Sequence, residues 1–73
     1  MKAKNYNGWC FWKPIGGFKD TANLFMTSES DARWIACEAL YDPETEYKKP
    51  NKTWKRLTKA GGRLFKVRFE IVD

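Results

Sequence analysis

The fold turns on the reading of TWKRLTKAGGRLFKVRFEIV, residues 53–72. Its second part alternates. Phe65, Val67, Phe69 and Ile71 share one face of a strand, and Lys66, Arg68 and Glu70 share the other. Read as a partner strand, TWKRLT (53–58) pairs with RLFKVRFEIV (63–72) across KAGG. A two-residue turn at Gly61-Gly62 opposes Trp54 to Phe69, and a four-residue loop opposes Trp54 to Val67. Both registers put Trp54 on the phenylalanine face and leave Lys55, Lys66 and Arg68 outside. A three-residue loop inverts this. Both also place Arg56 on the inner face, which an edge strand tolerates by letting the side chain snorkel.

Upstream, TSESD (27–31) offers Ser28 as a helix N-cap with Asp31 three residues on. Glu29 and Asp31 suit the positive end of a helix dipole. Ala32, Ile35, Ala36, Ala39 and Leu40 then fall on one apolar stripe, with Trp34, Cys37 and Tyr41 on a second beside it. DPE (42–44) ends the helix, because a residue before proline leaves the α region. At the start, YNGWCFWK (6–13) and TANLFM (21–26) read as a hairpin turning between Pro14 and Asp20. The expected fold class is α+β: a small antiparallel sheet with one helix on one face, in the order β-β-α-β-β, forming a single domain over residues 1–73.

A chain of 73 residues has little interior, and its rings compensate: four Trp, five Phe and three Tyr. Cys10 and Cys37 lie in apolar runs and read as buried reduced thiols, which fits a cytoplasmic protein. The basic start MKAKNYNG is followed by no apolar stretch of signal-peptide length, and no run is long enough to span a membrane.

Histidine is absent, which removes the commonest general base and zinc ligand. Two cysteines without C-x₂₋₄-C spacing do not make a structural zinc site. The serines of SES (28–30) lack a base and read as caps. PIGGFK and KAGGRL lack phosphate-loop spacing. The chain is therefore expected to be no enzyme, to need no cofactor and to take no small-molecule substrate.

Charge carries the functional signal. The net charge is +5, and residues 28–47 hold six acids against one base. Residues 48–68 hold nine bases and no acid, whereas a merely soluble surface mixes both signs. The nine are Lys48, Lys49, Lys52, Lys55, Arg56, Lys59, Arg63, Lys66 and Arg68. With Trp54 among them, they are the candidate partner-binding residues, chosen on charge alone. Such a face suits phosphates with interleaved stacking rings. It equally suits the acidic surface of a larger protein machine. No named nucleic-acid module fits; RLFKVRF shares only the tail of an RNP1 motif and lacks its glycine.

The whole chain, from MKAKNYNGWCFWKP to FKVRFEIVD, resembles the small host-RNA-polymerase-binding transcription regulators of lytic Xanthomonas oryzae phage. The likeness covers the full length, including the basic C-terminal region, and rests on no single motif. It implies a protein that acts in the bacterial cytoplasm and binds host RNA polymerase. The docking site it implies is the N-terminal region of the β′ subunit and the β flap, beside the RNA exit channel. Binding there would displace the σ factor, inhibit initiation and suppress intrinsic termination. A cationic face at that position would also meet nascent RNA. The alternatives are a small basic RNA- or DNA-binding module and an inhibitor of another host protein.

Overall fold

A computed structural model describes residues 6–68 and residue 70. It is a small α+β domain in the order β1 (Gly8–Trp12), α1 (Glu29–Leu40), α2 (Pro50–Lys59) and β2 (Arg63–Val67), with two 3₁₀ turns at Gly17–Lys19 and Ala22–Leu24. Among the described residues the sheet has two strands, and they come from opposite ends of the chain. β1 and β2 pair antiparallel, with Cys10 opposite Phe65 and Phe11 opposite Leu64.

Two parts of the expected order are corrected. Residues 53–58 are helical, so the hairpin with 63–72 does not form and Trp54 faces no strand partner. Pro50 at the first helical turn presets φ where no backbone N–H is needed. Thr53 and Leu57, one turn apart, are the buried positions of α2. Gly61 then takes φ 100°, a left-handed conformation that ends helices. Its N–H donates to the Thr58 carbonyl at 3.0 Å and that of Gly62 to the Leu57 carbonyl at 2.9 Å. These two bonds make a Schellman motif. The paired glycines are thus a helix stop, and the strand after them seeks its partner at the N-terminus. β2 ends at Val67; Phe69 and Ile71, expected to extend it, lie outside the described residues.

The second correction concerns 21–26. This segment contains a 3₁₀ turn rather than a strand, and one isolated antiparallel bridge from Met26 to Trp9 is what the expected hairpin becomes. The Trp9 N–H donates to Met26 O at 2.7 Å and the Met26 N–H to Trp9 O at 2.9 Å. The Thr21 hydroxyl lies against the carbonyl oxygens of Phe11 and Gly17, which ties this loop to β1.

The α1 expectation holds. Ser28 is the N-cap, and its hydroxyl accepts from the Asp31 N–H at 3.2 Å. Ala32 and Ala36 are fully buried, so the helix lies close on its neighbours. The second stripe splits: Cys37 is buried, but Trp34 is 57% exposed.

One core serves all the elements: Phe11, Leu24, Ala36 and Leu57, with Ile35, Leu40, Trp54 and Leu64 packed against it. Strand alternation therefore turns Phe11 and Leu64 toward the helices. The expected phenylalanine face is the other one. There Phe65 is 41% exposed and packs edge-on against Trp12 and Phe18, each at 5.9 Å between centroids. Among the described residues both cysteines are free and buried, and burial pushes both thiols up.

Candidate cationic interface

The helical reading of 50–59 changes where the charge goes. Lys52, Lys55 and Lys59 are spaced by three and four residues, so α2 aligns them on one exposed face. This corrects the expectation that Lys55, Lys66 and Arg68 share the sheet face opposite the helix. The three lysines rim a shallow groove whose lining also includes Thr45, Glu46 and Arg56. Lys52 Nζ donates to the Thr45 carbonyl at 3.1 Å, which steadies one end of the row.

The acid in that groove does not weaken it, because Glu46 is already neutralised. Its carboxylate is buried and accepts from Arg56 Nε at 2.6 Å and Nη2 at 3.0 Å. The Thr53 hydroxyl at 3.1 Å and the Asp42 N–H at 2.9 Å complete the shell. Arg56 Nη2 also donates to Leu40 O at 2.8 Å. One side chain therefore ties the end of α1, the loop 41–49 and the second turn of α2 together. Arg56 is consumed by this clasp, and three lysines are left facing solvent with no carboxylate within 4 Å among the described residues.

The Arg56 hydrogen bonds, with that from the Asp42 N–H, hold the Glu46 carboxyl well below the usual range, at about 2. A depressed folded-state pKa stabilises above the unfolded value, and that stability is lost as pH falls toward the folded value. The Glu46→Gln variant should therefore melt below the wild type at pH 7. In thermal melts from pH 7 to 2, the gap should close between about pH 5 and 2 as wild-type Glu46 takes up its proton. A gap that stays constant across this range would show that the carboxylate charge contributes nothing.

The remaining candidates are placed as follows. Trp54 is half-buried, with its ring 5.8 Å from that of Phe11 and the Arg33 guanidinium 5.2 Å over it, so it packs rather than projects. Arg63 is exposed at the start of β2, opposite Trp12. Lys66 lies opposite Trp9 on the Phe11–Leu64 side of the sheet, with Nζ 5.7 Å over the indole. Arg68 forms an ion pair with Glu70 at 3.0 Å. Lys48 and Lys49 are exposed in the turn leading into α2. Lys48 holds φ 57°, unusual for a residue with a side chain, and places Nζ 5.5 Å over the Tyr47 ring.

Of the ten candidates, Lys52, Lys55 and Lys59 thus form one row, Lys48 and Lys49 sit at its N-terminal approach, and Arg56 and Trp54 are structural. Sequence reading missed Glu46, because a lone loop carboxylate is ordinarily solvated. The signal that could have found it is the helix-start proline followed by Thr53 and Arg56, which puts a hydroxyl and a guanidinium on the side facing the incoming loop. Among the described residues no helix is long and apolar enough to cross a membrane. Comparison with known proteins finds no match: no family model, no curated protein and no solved structure.

Proposed function

We propose that this chain is a non-enzymatic transcription regulator that binds bacterial RNA polymerase near the RNA exit channel. It inhibits initiation by displacing the σ factor and suppresses intrinsic termination. The observation that carries this reading is the α2 face, on which Lys52, Lys55 and Lys59 stand together while Glu46, the one acid lining their groove among the described residues, is neutralised by Arg56. Such a face is preorganised for an anionic surface, because the clasp fixes the helix that displays it. The resemblance of the whole chain to phage polymerase-binding regulators supplies the identity of that surface: the N-terminal region of β′ and the β flap. The place of action is then the cytoplasm of the host cell.

The test is a pull-down from Xanthomonas lysate with nuclease, joined to transcription with the purified host enzyme. Polymerase subunits should be retained after nuclease treatment. Promoter-dependent initiation should fall, and readthrough of an intrinsic terminator should rise. Recovery of nucleic acid alone, lost on nuclease treatment, would instead identify a small RNA- or DNA-binding module. Unchanged transcription would point to another host target.

A further inference from the structure

The exposed row on α2 is not the only feature in which charge and shape coincide. Beside the N-terminal end of the same helix, a cleft is lined by Cys37, Glu38, Tyr41, Tyr47, Lys48 and Lys49, among others. Tyr41 comes from the end of α1 and Tyr47 from the turn before α2, and their rings stand 6.2 Å apart at 48°. Tyr47 is 59% exposed, although a domain this small has every incentive to bury a ring. The left-handed backbone at Lys48 brings a cation over that ring. Strained backbone of this kind persists only where its surroundings hold it.

We propose that this cleft binds single-stranded RNA, stacking one unpaired base on the Tyr41–Tyr47 pair and placing the flanking phosphates on Lys48 and Lys49. Both features are used by a nucleotide, which joins a flat ring to an anion at about the spacing of one residue. An acidic peptide would use the lysines and leave the rings idle. A duplex would use the lysines too, but its bases are already stacked and cannot reach Tyr47. Glu38, the acid on the cleft wall that has no ion-pair partner among the described residues, suits the N–H donors of a base edge and opposes a phosphate there. That the strand is the emerging transcript rests on the polymerase reading above; the binding chemistry does not.

The probe is a fluorescein-labelled oligouridine of eight residues, titrated by anisotropy, with an RNA duplex of equal length beside it. The single strand should bind more tightly than the duplex. Tyr47→Ala should weaken binding about tenfold or more, and Tyr47→Phe should retain it, because the stacking face survives. Replacing Lys48 and Lys49 with alanine should lower the slope of log affinity against log salt by about 1.4, two phosphates at about 0.7 each. Duplex binding as tight as the single strand, or Tyr47→Ala equal to wild type in a folded protein, would overturn the proposal. Polymerase capture by Tyr47→Ala separates the two readings. Retained capture with unchanged RNA affinity sinks the cleft alone. Absent capture by the wild type as well, with Tyr47-dependent RNA binding, sinks the polymerase reading and leaves the cleft standing.

Discussion

On the polymerase reading proposed above, reversing Lys52, Lys55 and Lys59 to glutamate should weaken polymerase binding by about two orders of magnitude or more. Like charges brought together across an interface cost several kcal/mol, and here three would be imposed on one helical face. None of the three is buried, and only Lys52 holds another segment, through its bond to the Thr45 carbonyl. Each side chain is exposed, and none forms an ion pair among the described residues. Lys59 also favours the helix by sitting in its last turn, so glutamines at the same positions are the gentler companion variant. They should remove attraction without adding repulsion and give an intermediate loss. Reversing Lys13 and Lys19, which lie near the 3₁₀ turns and off the helix, should leave binding close to wild type. The measurement is surface-immobilised polymerase binding at two salt concentrations, with circular dichroism as the check on folding. Wild-type affinity should fall as salt rises. Undiminished binding by the folded triple glutamate variant would remove the α2 face from the account.

The second large effect concerns stability. Phe11→Ala should cost about 3–5 kcal/mol, the range for truncating a buried aromatic ring. A small domain has only about 5 kcal/mol or somewhat more in hand, so this variant should be largely unfolded at 37 °C. Phe11 is fully buried and touches the three things the fold must join. Its strand pairs with β2, its ring meets Trp54 of α2, and its cluster includes Ala36 of α1. Gly62→Val tests the same contact from the other side. A Cβ at Gly62 would drive into the Phe11 ring and stand 2.9 Å from the Leu57 carbonyl. Both are held firmly, so overpacking should cost about 1–3 kcal/mol. Urea denaturation would read both variants. Either one within about 0.5 kcal/mol of wild type would show that the ring is not the pivot of the fold.

The polymerase reading and the RNA cleft use different sides of one short helix. Residues 42–49 enter α2, and Glu46 locks that entry while Lys48 and Lys49 project from it. Weakening the clasp should therefore loosen the lysine row and the Tyr47 turn together.

The sequence by itself determined α1 to the residue at its start, because an N-cap serine, first-turn acids and an alanine stripe are local signals that agree. It also determined that residues 48–68 are a block of unbroken positive charge, and it favoured buried, unbridged thiols at Cys10 and Cys37, as found. Tertiary structure settled what 53–58 becomes, although Pro50 and Gly61 bracket it with local helix signals. TWKRLT has the composition of a strand or a helix, and six residues are too few for periodicity to separate them. The choice falls to distant groups: Phe11 accepts Trp54 and Leu57, Glu46 waits for Thr53 and Arg56, and β1 offers β2 a partner so that it needs none next door. Pairing of the first strand with the last, and with it the orientation of every lysine on α2, is a long-range contact that no local pattern encodes.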